Sequence, residues 1–297
     1  MIELPSPFSC ENGVVRVLEE RGMSQEVLQR KLLQEEYDRP FVFDNGLTRS
    51  LYFSLRYVQS SMRTRDPISL EFAYTRKMMS FLLFQRQTRS ILMLGLGGGS
   101  LAKYCYAKLP QCRIDVVEID PYVIGFREQF FIPENDDRFR VIHDDAARYV
   151  ERCATQYDVI MLDAFDRDGF SASIDDREFY LQTRSALSSK GLLIANLAGA
   201  RSQRVKHLAA MRGALDSYTP GERPTLDVIV ERIGPLRNKT ADESAAAPAR
   251  ERGGRRRSRH GLGGHGDHGQ ALLDAGEHLE VVADDEVGLG RLGEVDP

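Results

Sequence analysis

The chain has 297 residues, 42% hydrophobic and 28% charged, with 40 basic and 44 acidic side chains. That is the composition of a globular protein with one large domain or two modest ones, and its near-balanced charge excludes a global basic field for nucleic acid or anionic membrane. Four cysteines without CxxC spacing argue against a disulfide scaffold or a cysteine zinc site, no apolar run approaches the ~20 residues of a bilayer crossing, and MIELPSPFSCENG lacks the features of a secretory leader, so a reducing, cytoplasmic location is expected.

The first predicted element is a short helix over 24–37, with Ser24 as its N-cap. Residues 49–58 place Leu51, Phe53, Leu55 and Tyr57 at period two, predicting a strand antiparallel to residues 41–44 across the turn Asn45-Gly46. Residues 69–84 carry Leu70, Ala73, Tyr74, Met78, Phe81 and Leu82 at helical spacing, interrupted only by Lys77.

A regular alternation follows. Strands are predicted at 91–95, 114–120, 139–145, 157–163 and 192–197. The helices between them lie at 100–109, 121–131, 146–153 and 178–188, the last ended by Gly191. Short apolar strands alternating with amphipathic helices predict a parallel sheet flanked by helices. Right-handed crossovers bring the C-terminal ends of all five strands to one crevice.

The chemistry-bearing residues sit at those strand ends. The loop Gly95-Leu96-Gly97-Gly98-Gly99-Ser100 lies between the first of these strands and its helix. Its glycines permit positive φ and close approach of backbone to a ligand. Glu118 ends the second strand about 20 residues further on, the distance at which an acid meets ribose hydroxyls. Asp144 and Asp145 end the third strand, Asp163 ends the fourth, and Asp166 follows. Each of these aspartates alone also fits a helix N-cap. Together they suit a ligand with a hydroxylated ribose, an exocyclic amine and a cationic centre, as in S-adenosylmethionine and its relatives. The pyrophosphate of a dinucleotide would be repelled.

Residues 41–197 resemble the polyamine aminopropyltransferases, the spermidine synthase family. The resemblance rests on Tyr57-Val58-Gln59, Glu71-Phe72-Ala73-Tyr74, Val117-Glu118-Ile119-Asp120, Asp144-Asp145-Ala146, Asp163-Ala164-Phe165-Asp166 and Glu178-Phe179-Tyr180. It implies the Rossmann-like class I methyltransferase fold, preceded by a small β-hairpin region. It also implies transfer of an aminopropyl group from decarboxylated S-adenosylmethionine to a polyamine or other amine, in polyamine biosynthesis, with no permanently bound cofactor. On this pattern Asp163 is the general base and Asp166 a catalytic and amine-holding carboxylate. Gln59, Gly95, Gly97, Gly99, Glu118, Asp145 and Ala146 hold the nucleoside co-substrate, and Tyr74 lines the amine channel. Tyr74 equally fits a core tyrosine on an apolar helix face. The expected partners are a small-molecule substrate and, for assembly, a homodimer, with no nucleic acid, membrane or metal.

Three departures make the resemblance that of a divergent branch. Gly98 stands where the family has an aspartate facing the aminopropyl amine, Thr75-Arg76 replaces His-Glu, and Arg167 replaces a proline. A methyltransferase using S-adenosylmethionine on the same fold is therefore the second reading, and a non-catalytic nucleoside-binding homologue the third.

The chain divides into a helix and hairpin region at 1–66, a nucleoside-binding catalytic domain at 67–218, and a low-complexity tail at 219–297. No Phe or Tyr follows Tyr218, and Lys239 is the last lysine. Such a stretch buries little apolar surface and is expected to be disordered. The abrupt change is also what out-of-frame translation of GC-rich DNA produces. The basic run at 250–259 and the histidines His260, His265, His268 and His278 read as solvated tail.

Overall fold

The computed structural model describes residues 1–8, 13–19, 22–165, 174, 176–197, 201–215 and 228–231. The tail beyond 231, including its basic run and histidines, and Asp166 lie outside them.

The N-terminal part is a five-stranded antiparallel meander in the order β1-β2-β3-β4-β5. Its strands are β1 (Ile2–Pro5), β2 (Val14–Val17), β3 (Phe41–Asp44), β4 (Thr48–Ser54) and β5 (Tyr57–Arg63), with α1 (Gln25–Leu33) between β2 and β3. Ser24 caps α1 as expected, its hydroxyl accepting from the Val27 N–H at 3.4 Å. The turn after β3 forms where Asn45-Gly46 predicts it. Gly46 has φ +82°, and the Asn45 Oδ1 accepts from the N–H groups of Leu47 and Thr48.

Two expectations change here. Residues 49–58 are not one strand: the chain turns at Leu55-Arg56 into β5, which pairs back on β4. Residues 69–84 are not one helix either, but α2 (Ala73–Met78) and α3 (Phe81–Phe84). Between them the N–H groups of Met79, Ser80, Leu82 and Leu83 bond to carbonyls three residues back, tightening the chain to 3₁₀ geometry. This buries Phe81 and leaves Leu83 exposed.

The second part is a six-stranded sheet, parallel at every pairing, in the order β11-β10-β9-β6-β7-β8. Its strands are β6 (Ser90–Leu94), β7 (Arg113–Glu118), β8 (Phe139–His143), β9 (Tyr157–Leu162), β10 (Leu187–Asn196) and β11 (Val228–Glu231). The helices are α4 (Ser100–Lys108), α5 (Pro121–Gly125), α6 (Ala146–Glu151), α7 (Arg177–Ser185) and α8 (Arg201–Leu215), with a 3₁₀ turn at Glu128–Phe130. This doubly wound order reverses between β6 and β9, where the crevice opens. The architecture is the parallel sheet flanked by helices that the sequence predicts. Two details differ. Gly191 lies inside β10 rather than ending a helix, at a register irregularity between Leu187 and Leu192. Strand β11 forms beyond residue 218, where no strand is predicted.

Strand alternation supplies both faces of the core. Ile91, Met93, Val159 and Met161 pack into one cluster, while Leu92, Leu94, Ile160 and Leu162 pack into the other. The first cluster also takes in Val42, Leu51 and Met62 of the N-terminal sheet. The meander is thereby held on that face of the parallel sheet, close to the glycine loop. Among the described residues no helix is long and apolar enough to cross a membrane.

Candidate active site

The glycine loop links β6 to α4. The Gly95 N–H donates to the Val117 carbonyl at 2.8 Å, and the Asp163 N–H to the Leu94 carbonyl at 2.9 Å. Gly95 has φ +103°, and a Cβ there would lie 2.2 Å from the Asp163 carbonyl oxygen. Only glycine lets the end of β6 approach the end of β9 this closely. At Gly98 a Cβ would lie 2.6 Å from the Ser60 hydroxyl oxygen and 3.1 Å from the Phe130 ring. Ser60, on β5, thus occupies the space that a side chain at position 98 would need. Gly99 faces Ile132 in the same way, whereas Gly97 has its nearest neighbour at 3.9 Å and stands open.

Glu118, at the end of β7, is 9% exposed. Its Oε2 accepts from the Leu96 N–H and its Oε1 from the Asp120 N–H, both at 2.9 Å. Burial pushes its carboxyl above the usual range, against the backbone N–H groups of Asp120, Leu96 and Gly97 that favour the anion. Glu118 therefore braces the glycine loop at the strand end where a ribose is expected.

The third strand end is built by capping. Asp145 Oδ1 accepts from the Arg148 N–H at 3.0 Å, capping α6, and Ala146 begins that helix. Asp144 Oδ1 accepts from the Asp145 N–H at 2.9 Å, and Asp144 Oδ2 pairs with Arg152. The capping role open to either aspartate falls to Asp145, and the ion pair to Asp144.

Asp163 follows β9. Its Oδ1 accepts from the Asn196 amide Nδ2 at 2.8 Å, and its Oδ2 from the Tyr74 hydroxyl at 3.3 Å. Burial pushes the Asp163 carboxyl up, while the bonds from Asn196 and Tyr74 favour its anion. Burial and the adjacent carboxylate hold the Tyr74 phenol well above its ordinary value, so Tyr74 stays a neutral hydroxyl. Tyr74 packs against the core, as the second reading of it expects, and its hydroxyl also touches Asp163. Asn196, which ends β10 and is 4% exposed, was not singled out from sequence. Its one signal is a polar residue closing the apolar run LLIAN at a strand end.

Gln59 lies in β5 where the register slips: Leu51 pairs with Ser60 and Tyr52 with Val58, leaving Gln59 as an extra residue. Such a bulge re-aims a side chain. Arg76 does not enter the site. Its guanidinium donates to the carbonyls of Leu70 and Glu71 at 2.7 and 2.9 Å, and so ties down the chain before α2. Among the described residues no group of three or more His, Cys, Asp or Glu is placed to share a metal ion.

The family model of the spermine/spermidine synthase domain matches residues 71–207. The polyamine aminopropyltransferase of Chromobacterium violaceum is 36% identical over 156 residues, covering 52% of this chain and 60% of that protein. The polyamine aminopropyltransferase of Vibrio vulnificus is 31% identical over 200 residues, covering 65% and 62%. The eEF1A lysine and N-terminal methyltransferase homolog of Drosophila melanogaster is 32% identical over 143 residues, 44% of this chain and 21% of that protein. The chain thus spans about 60% of the length of the aminopropyltransferases it matches. Among solved structures, spermidine synthase in complex with the transition state analogue AdoDATO aligns with a TM-score of 0.49 and 19% identity, covering 60% of this chain and 62% of that one.

Proposed function

Taking residues 71–207 as a spermine/spermidine synthase domain, we propose that the chain transfers an aminopropyl group from decarboxylated S-adenosylmethionine to an amine, with Asp163 as general base. The observation that carries this reading is the Asp163 carboxylate anchored through both oxygens just past the end of β9, where the Asp163 backbone lies against Gly95 of the glycine loop. An alkylammonium has no lone pair, so a carboxylate must take its proton before nitrogen can attack the carbon beside the sulfonium. Its burial raises this carboxyl above the ordinary aspartate range, the direction that makes a carboxylate a better proton acceptor.

The nucleoside end follows the other strand ends. Glu118 holds the ribose hydroxyls from the crevice side while bracing Leu96, and Asp145 with Ala146 meets the adenine. Gln59, aimed by its bulge, and Gly97 complete the nucleoside side, with Gly95 and Gly99 shaping the loop. Tyr74 lines the amine side. Asp166 keeps the amine-holding role that the family resemblance implies.

One observation favours methyl transfer from S-adenosylmethionine instead. Position 98 has no carboxylate for an aminopropyl amine, and Ser60 fills the space one would need. The deciding experiment is mass spectrometry of paired reactions, one with decarboxylated S-adenosylmethionine and one with S-adenosylmethionine, each with one of putrescine, cadaverine or spermidine. Methylthioadenosine together with an aminopropylated amine supports the first reading. Turnover of S-adenosylmethionine alone, to S-adenosylhomocysteine, would overturn it.

A further inference from the structure

The two oxygens of Asp163 have chemically different partners. Oδ1 faces the amide N–H of Asn196, a donor with no lone pair, at 2.8 Å. Oδ2 faces the Tyr74 hydroxyl, which donates or accepts according to its rotation, at the longer distance of 3.3 Å. A proton on Oδ1 would point at the N–H of Asn196. A proton on Oδ2 would meet an oxygen that turns to accept it. Among the described residues no donor reaches the buried Asn196 Oδ1, and it is the nitrogen of this amide that meets the carboxylate.

We propose that Asn196 and Tyr74 make the carboxylate one-sided: Asn196 is a positioning residue that keeps Oδ1 an acceptor, and the proton of the incoming ammonium is delivered to Oδ2, where the Tyr74 hydroxyl reverses to receive it. This rests on the assignment of Asp163 as the base. The N–H bond of the ammonium breaks and an O–H bond forms on Oδ2. The freed nitrogen pair attacks the carbon beside the sulfonium, and the C–S pair returns to sulfur, leaving a neutral thioether. Asn196 and Tyr74, from β10 and α2, are the described side chains that shift the Asp163 carboxyl. Asn196 serves the anion alone, whereas Tyr74 serves both protonation states.

That asymmetry gives the test. Carboxyl-carbon NMR of protein labelled at aspartate Cγ, with Asp163→Asn as the assignment blank, follows the titration of Asp163. Asn196→Leu removes a partner of the anion and should raise the midpoint by about one pH unit or more. Tyr74→Phe keeps the ring in place, removes a partner from both states, and should move the midpoint less than half as far while lowering turnover about tenfold or more. Equal shifts, or a larger shift in Tyr74→Phe, would overturn the proposal. If Asn196→Leu does not fold, a midpoint rise of about one unit in Tyr74→Phe alone suffices to overturn it. Loss of turnover in Asp163→Asn with an unmoved midpoint in Asn196→Leu removes this inference and leaves the base assignment standing. Full turnover in Asp163→Asn with decarboxylated S-adenosylmethionine and putrescine removes both.

Discussion

Replacing Asp163 by Asn should make the unliganded protein more stable at neutral pH while removing turnover. The structure lets the amide keep both contacts. Its oxygen accepts from Asn196 Nδ2 in place of Oδ1, and its NH₂ donates to the Tyr74 hydroxyl, which rotates to accept. What disappears is the charge, and burial is the largest influence on this carboxyl, raising it above the ordinary aspartate range. A carboxyl raised in the folded state binds its proton more tightly there than in the unfolded chain. Its contribution to stability is therefore fully present below the unfolded value and is lost as pH rises through the folded value. Between those two values wild-type stability falls relative to Asp163→Asn by about 1.4 kcal/mol per pH unit. At pH 7 the variant is therefore the more stable of the two and melts at the higher temperature. Calorimetric melting of both proteins at a series of pH values from 4 to 8 is the assay. The curves should converge as pH falls. A variant that melts lower than wild type at pH 7, or a constant gap at every pH, would refute the reasoning.

Glu118→Gln should weaken nucleoside binding by about 1.5–3 kcal/mol, the loss of one hydrogen bond to a charged group; titration calorimetry with methylthioadenosine checks this, and unchanged affinity would place the ribose elsewhere. Gly98→Asp alone should destabilise the fold by about 1–3 kcal/mol, because its Cβ meets Ser60 and Phe130. Adding Ser60→Gly should restore much of the melting temperature, and a double variant no better than the single one would show that Ser60 is not the obstacle. If aminopropyl transfer is the native reaction, the restored carboxylate in that double variant should change turnover little. If methyl transfer is native, it should hinder S-adenosylmethionine by repelling its carboxylate.

Strands β6 to β9 were legible because each is a largely apolar run of five or six residues with a glycine or an acid at its end. The breaks at Leu55-Arg56 and Met79-Ser80 were not, because neither carries Gly, Pro, Asn or Asp. Period-two and helical spacing run through them unchanged, and pairing with β4 and the tight 3₁₀ bonds decide the geometry instead. Asp163 and Glu118 stood out as acids at strand ends. Their partners did not: the amide of Asn196 lies 33 residues from Asp163, and the Leu96 N–H lies 22 residues from Glu118. Gly98 read as a missing carboxylate. Only the packed structure puts Ser60, from a different sheet, in the space beside it.

Which sulfonium the crevice accepts is the central claim, and titration calorimetry on the full chain tests it most directly, with S-adenosylmethionine, its decarboxylated form and methylthioadenosine each in turn. Aminopropyl transfer predicts that the decarboxylated form binds about tenfold or more tightly than S-adenosylmethionine, a difference of about 1.4 kcal/mol. It also predicts that methylthioadenosine binds measurably as the product. Preference for S-adenosylmethionine over its decarboxylated form would contradict the account and assign the site to methyl transfer.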